Sequence, residues 1–224
     1  IVPNLIETRT TTLTKEDFYF RNDTCLTSNY KILYSGRMDR AKGLYDMVKA
    51  ISILDRMGKN VIFDLVGWTA TGDNIIEEMY ELAESLGVRN RINYHGYRSV
   101  GDDLFSYYKQ ADLFWIASRK SEGFPRAIWE AMAHSVPVIA TKVGSIPDYV
   151  RNSALLVDPC SPDQLANAVV IALENSTLRR RLIDSGRILA KENTLEYHTK
   201  RIVDKISRWI SEEKDKNDYS RNFI

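Results

Sequence analysis

The chain has 224 residues and a mass of 25.7 kDa, with 44% hydrophobic, 27% charged and 10% aromatic residues. This composition excludes disordered, collagen-like and disulfide-scaffold classes, and the length suffices to bury about 70% of the unfolded chain's surface. Lys plus Arg is 31 against 30 for Asp plus Glu, a formal charge of +1. No global excess therefore points to nucleic acid or a membrane surface, and an anionic ligand must be held by a few local cations.

Residues 1–30 carry a threonine-rich stretch without a clean period and read as a lead-in with room for one short strand. From residue 31 the pattern is regular. Lys31 to Ser35 is a β-prone run stopped by Gly36, and Leu44, Met47, Val48, Ile51 and Leu54 then recur at helical spacing up to Gly58. Val61 to Val66 is a second strand closed by Gly67, and Ile75, Ile76, Met79, Leu82, Ala83 and Leu86 form the next helical face. Strands follow at Arg91–His95, Leu113–Ala117, Pro137–Ala140 and Ala154–Val157, with helices over 101–110 and 125–134. Ser161-Pro162-Asp163-Gln164 has the form of a helix start, with Ser161 as cap and Gln164 completing a capping box.

Six strands alternating with helices imply right-handed βαβ units and an α/β, doubly wound, Rossmann-like parallel sheet covered on both faces. The expected division is a lead-in over 1–30, the Rossmann-like domain over 31–174, further helices over 175–214 and a polar, frayed tail over 215–224. Cys25 and Cys160 stand far apart in dissimilar contexts and read as free thiols of a reducing compartment. No apolar run approaches a membrane span, and no signal-peptide form is present. The chain opens on Ile1 rather than Met and is read as a piece of a longer, cytoplasmic protein.

Folds of this class bind ligands beyond the carboxyl ends of the strands, so the segments after residues 35, 66, 95, 117 and 140 are the ones to search. They lack G-x-G-x-x-G, the P-loop pattern, G-x-S-x-G, Asp-x-Asp and any metal-ligand spacing of histidine and cysteine. Gly36-Arg37-Met38-Asp39-Arg40-Ala41-Lys42-Gly43 places two cations before a helix whose N-terminal dipole favours an anion, an arrangement suited to a diphosphate without a metal. A loop with ordinary solvated charges would look the same.

A second segment is sharper: Ser121-Glu122-Gly123-Phe124-Pro125-Arg126-Ala127-Ile128-Trp129-Glu130-Ala131-Met132-Ala133. Pro125 suits the first helical position, so amides near 124 and 126–127 are expected to face the site unpaired. Every residue from Ala127 to Ala133 except Glu130 is apolar, so the helix is buried and its carboxylate needs a partner, either a ligand or a structural salt bridge. Glu122 would reach one end of a ligand while Glu130, about 7.5 Å further along the helix, meets another polar group.

Glu122-x7-Glu130, followed by Ala131-Met132-Ala133 and by Pro137-Val138-Ile139-Ala140-Thr141-Lys142-Val143-Gly144-Ser145-Ile146-Pro147-Asp148, resembles the C-terminal half of a retaining glycosyltransferase of the GT-B fold, family 4. The resemblance runs from Pro3-Asn4, similar to the family's interdomain linker, through Gly36-Arg37-x4-Lys42-Gly43 to about residue 175. It implies a nucleoside-diphosphate-sugar donor, no metal, and no other cofactor. Arg37 and Lys42 would bind the diphosphate, Glu122 the sugar hydroxyls and Glu130 the ribose. Gly36 and the turn residues Gly123, Phe124, Arg126 and Ala127 would hold sugar and phosphate, and Tyr97 of Gly96-Tyr97-Arg98 would stack on the base. Arg37, Lys42 and Glu122 would carry the transfer.

Acceptor binding, to a saccharide, lipid-linked or small molecule, would belong to a missing N-terminal domain, the chain's expected partner, through which peripheral membrane association is also an expectation. Pro125 stands where the family commonly has glycine, which removes one amide donor. Ser135 and Ser145 replace family glycines and are expected to change how closely the backbone approaches the sugar. A lapsed nucleotide-sugar-binding module and a nucleotide-sugar 2-epimerase share the architecture. Intact Arg37, Lys42, Glu122 and Glu130 disfavour the first, and Glu122-x7-Glu130 disfavours the second.

Overall fold

The computed structural model describes residue 8 and residues 11–120 and 122–221, with 213–221 as backbone alone. The Pro3-Asn4 pair and Ser121 lie outside the described residues. Six strands, β1 Tyr30–Ser35, β2 Val61–Val66, β3 Ile92–Tyr94, β4 Leu113–Ile116, β5 Val138–Thr141 and β6 Ala154–Val157, form one parallel sheet in the order β3-β2-β1-β4-β5-β6. The helices between them are α1 Leu44–Arg56, α2 Ile75–Ser85, α3 Asp102–Gln110, α4 Arg126–Ala133, α5 Ile146–Val150 and α6 Pro162–Glu174. Two more follow, α7 Ser176–Lys191 and α8 Leu195–Arg221. Each strand read from the sequence is present within one residue or so at either end.

Alternation along the strands builds two core layers. Ile32, Tyr34, Phe63, Leu65, Trp115 and Ile139 face α1, α2 and α6 on one side, with Phe63 and Trp115 meeting edge-on at 5.5 Å. Leu33, Val66, Phe114, Ile116, Val138 and Ala140 face α3, α4 and α5 on the other. α7 closes against α4, where a Cβ on Gly186 would stand 3.0 Å from Met132 Cγ. The strand order turns back at β1 and β4, the crevice where doubly wound sheets hold their ligands.

Three expectations are corrected. The lead-in forms no strand among the described residues. A 3-10 turn at Lys15–Asp17 closes on Thr14, whose amide donates to Asp17 Oδ2 at 2.7 Å, and the segment then straps the second core layer. Tyr19 N donates to Ala133 O at 3.1 Å. The Arg21 guanidinium caps the end of α3 by donating to the carbonyls of Tyr108, Lys109 and Ala111 at 3.3, 3.2 and 2.5 Å, so side-chain donors take the hydrogen-bonding role a ladder would have had.

At α6 the capping box does not form. Gln164 instead exchanges two bonds with Asp158, at 2.9 and 3.0 Å, because the loop after β6 brings that partner nearer than the helix's own first turn. The polar segment after 214 is helical through Arg221, a continuation of α8 that neither glycine nor proline interrupts. Both cysteines are free. Among the described residues no helix is long and apolar enough to cross a membrane.

Candidate functional site

The ends of β1, β2 and β4, the loop after β3 and the first turn of α4 surround a cavity of about 400 Å³. Gly36, Arg37, Lys42, Tyr97, Glu122, Arg126, Ala127 and Glu130 line it. Eight of the ten residues singled out by sequence are therefore gathered in one place.

Glycine geometry explains how the loops approach so closely. A Cβ on Gly67 would stand 1.8 Å from Gly36 O, and one on Gly43 would stand 2.0 Å from Ala117 O at a φ of +74°. Neither position admits another residue without moving backbone. The Gly43 contact lays the Arg37–Lys42 loop along the end of β4, which brings Lys42 onto Glu122 across 80 positions of sequence. Tyr34, 2% exposed, donates its hydroxyl to Arg37 O at 2.7 Å and pins the same loop from below. Burial pushes that phenol far above its ordinary range.

Glu122 is held from three directions. Its carbonyl accepts from Ser145 N at 3.2 Å, its backbone fits against Gly144, and its Oε1 accepts from Ser118 Oγ at 2.6 Å and from Lys42 Nζ. Arg37 is half-exposed and pairs with Asp39 at 3.0 Å. Asp39 Oδ1 also accepts from Ala41 N at 2.8 Å, capping the 3-10 turn Arg40–Lys42. Of the two helix N-termini expected at the site, only that of α4 lines the cavity; the first residues of α1 do not. In α4 the first amide bonded to the preceding turn is that of Ile128, to Pro125 O at 3.1 Å, so the Arg126 and Ala127 amides have no intrahelical acceptor.

Among the described residues Glu130 forms no salt bridge, one of the two partners considered from sequence alone. It is 8% exposed and accepts from the hydroxyl of Tyr108, on α3, at 2.9 Å. Burial raises its pKa above the ordinary carboxyl value of 4.5, against the smaller opposing effects of Tyr108 and Arg126. A carboxyl raised on folding stabilises the fold fully only below its unfolded pKa, and that contribution is lost as pH rises through the folded pKa. Replacing Glu130 with glutamine removes this penalty and keeps an acceptor for Tyr108. The ligand-free Glu130→Gln variant is therefore expected to melt at or above wild type at neutral pH. Its advantage should grow as pH rises from about 4.5, as thermal unfolding over a pH series will show. A variant that melts below wild type at neutral pH would show that the charged carboxylate stabilises the core.

Two of the ten candidates and both serine substitutions stand off the cavity lining. Gly123 and Phe124 do not line the cavity. Phe124 instead stacks on Trp129 at 4.1 Å and meets Tyr149 edge-on at 5.1 Å, anchoring the turn that presents Glu122. Ser135 and Ser145 do not line the cavity either, and Ser145 bears on it only through its amide, which holds the Glu122 carbonyl. Ser135 sits beyond α4 in a left-handed conformation with a φ of +58°, and its hydroxyl donates to Tyr19 O at 2.8 Å, tying down the lead-in. Sequence reasoning missed Trp68, Arg98 and Ser118, although each follows a strand end, where ligand-contacting residues are expected. Trp68 and Tyr97 are 48% and 65% exposed at the mouth. Arg98 is held by Tyr107 at 3.2 Å and by Asp103 at 3.8 Å. Arg37, Lys42, Arg98 and Arg126 thus face two carboxylates, a local cationic excess in a nearly neutral chain.

The chain matches the model of the family described as "Glycosyl transferases group 1" over residues 17–189. It is 32% identical over 155 residues to a protein named D-inositol 3-phosphate glycosyltransferase from Corynebacterium glutamicum, covering 67% of this chain and 37% of that protein. Other curated relatives are spanned over 33–44% of their length. Among solved structures, the C-terminal domain of the group 1 glycosyl transferase LpcC from Francisella tularensis superposes with a TM-score of 0.70 at 24% identity, over 82% of this chain and 99% of that one. HepE from Anabaena, solved with UDP and glucose, superposes with a TM-score of 0.73 at 23% identity, over 81% of this chain and 49% of that one. The six-stranded parallel sheet of this chain is the Rossmann-like half of a GT-B fold, and the chain belongs to the glycosyl transferases group 1 family.

Proposed function

We propose that the cavity binds a nucleoside-diphosphate sugar and that, with an acceptor-binding domain, the chain transfers the sugar with retention of configuration, as in family 4. The carrying observation is the convergence of Arg37, Lys42, Glu122, Arg126 and Glu130 with the N-terminus of α4 around one cavity. Arg37 and Lys42 hold the diphosphate, joined by Arg98 and by the Arg126 and Ala127 amides. Glu122 accepts from sugar hydroxyls. Glu130, already orienting the Tyr108 hydroxyl, accepts from the ribose. Tyr97 and Trp68 at the mouth offer aromatic faces to the base.

On transfer the bond between the anomeric carbon and the diphosphate oxygen breaks with its electron pair leaving on the diphosphate, while an acceptor hydroxyl oxygen bonds to that carbon and its proton passes to the leaving diphosphate. Fixed cations and amides stabilise that charge as it builds, so the protein alone supplies the role a metal would have. The binding of UDP and glucose by HepE supports this choice of ligand class.

The test is thermal stabilisation by UDP, GDP and ADP sugars, in buffer containing EDTA. A ligand at 100 times its dissociation constant adds roughly 2.7 kcal/mol to stability. One nucleotide class is expected to raise the melting temperature with EDTA present. Loss of the shift in EDTA, with recovery on adding Mg²⁺ or Mn²⁺, would overturn the metal-free clamp. Glu130→Gln is expected to weaken binding of donor and free nucleoside diphosphate alike.

A further inference from the structure

The ion pair between Lys42 and Glu122 joins the two groups that the donor must separate. Their side chains are 24% and 15% exposed, so the pair is only partly screened by solvent. The two partners are not held alike. Glu122 is fixed through its backbone by Gly144 and Ser145 and through its carboxylate by Ser118, whose own carbonyl accepts from Thr141 Oγ1 at 2.8 Å. Lys42 ends a short 3-10 turn and carries its ammonium on a flexible four-carbon stem. Lysine is the member free to change partner.

We infer that Glu122 is a specificity-determining residue that favours the sugar-bearing donor over the free nucleoside diphosphate, because it competes with the diphosphate for Lys42. The inference rests on the donor-site reading above. A diphosphate that draws Lys42 away leaves the Glu122 carboxylate with Ser118 as its remaining donor, partly buried and close to added negative charge, which opposes binding. A donor carries the same diphosphate but also brings sugar hydroxyls, which give Glu122 new hydrogen bonds in place of the lysine. The same carboxylate therefore penalises the product of transfer and favours its substrate, and it speeds the emptying of the site after each turnover. Arg37 makes no such choice, because its pair with Asp39 is half-exposed and readily shared.

The test is calorimetric titration of wild type, Glu122→Gln and Glu122→Ala. The probes are whichever of UDP, GDP and ADP stabilises wild type most, and the glucose and mannose esters of that nucleotide. Glutamine preserves the shape and the acceptor for Ser118 while removing the charge; alanine removes both. Both variants are expected to bind the free diphosphate about twofold to fivefold more tightly than wild type, the upper part of the range of a partly exposed charge pair, and to bind the sugar ester more weakly. The ratio of the two affinities is the readout, so a general loss of structure cannot imitate the result. Variants that bind the diphosphate as wild type does, or more weakly, would overturn the competition while leaving the donor site standing. Wild type that binds neither ligand would overturn the donor site itself, and the competition with it.

Discussion

Residues 1–224, purified alone and given nucleotide sugar and acceptor, are expected to bind the donor and to transfer nothing above background. The chain spans 33–44% of the length of its curated relatives, and the cavity opens to solvent past Trp68, Tyr97 and Arg37. In the function proposed above its residues stabilise a leaving diphosphate, and a second domain holds the acceptor oxygen against the anomeric carbon. Orienting two reactants is worth effective molarities of about 10⁵ M or more. Closure of a second wall would also exclude water from the reacting sugar. The measurement is nucleotide release coupled to product analysis, with the donor-binding titration run on the same preparation. Robust turnover onto an added acceptor would refute the division of labour between two domains.

The second large effect concerns the cationic clamp. Arg37→Ala is expected to weaken nucleoside-diphosphate binding by roughly 1.5–3 kcal/mol, the range of charge-assisted hydrogen bonds. Lys42→Ala should cost at least as much, although part of the lysine's energy is already spent on Glu122 in the empty site. Its removal leaves the Glu122 carboxylate unneutralised beside the phosphate position, so the ligand meets repulsion as well as a missing donor. Combining Lys42→Ala with Glu122→Gln should recover part of the loss, a coupling that a double-mutant cycle measures. If both single variants bind the diphosphate within twofold of wild type, Arg37 and Lys42 are not the clamp.

The readability of the site from sequence followed the distance over which its contacts act. Gly36, Arg37, Lys42, Glu122 and Glu130 were recognisable because strand-end and helix-start patterns are local, and the charges sit within or beside those patterns. Gly123 and Phe124 belonged to the right turn but stand off the cavity lining. The ring of Phe124 packs on Trp129 and Tyr149, a preference visible only once α4 and α5 lie side by side. Ser135 shows the same limit. Its left-handed backbone is what a glycine position requires, yet the hydroxyl serves the lead-in strap rather than the cavity.

The sequence by itself determined the six strands and the helices between them other than α5, because apolar periods of 2.0 and 3.6 residues and the glycines that stop them are short-range properties. It also directed attention to the strand ends, where the cavity lies, and through Glu122-x7-Glu130 it carried the resemblance to a GT-B glycosyltransferase that the family match bears out. Tertiary structure alone decided which groups meet. Strand order β3-β2-β1-β4-β5-β6 puts the end of β1 beside the end of β4, and only that adjacency pairs Lys42 with Glu122. Packing of α3 against α4 gives Glu130 the Tyr108 hydroxyl in place of a salt bridge, and the same fold turns an unpatterned lead-in into a strap whose Arg21 caps α3. These partners come from segments distant in sequence, and no local pattern encodes which of several chemically adequate partners the closed core brings within hydrogen-bonding reach.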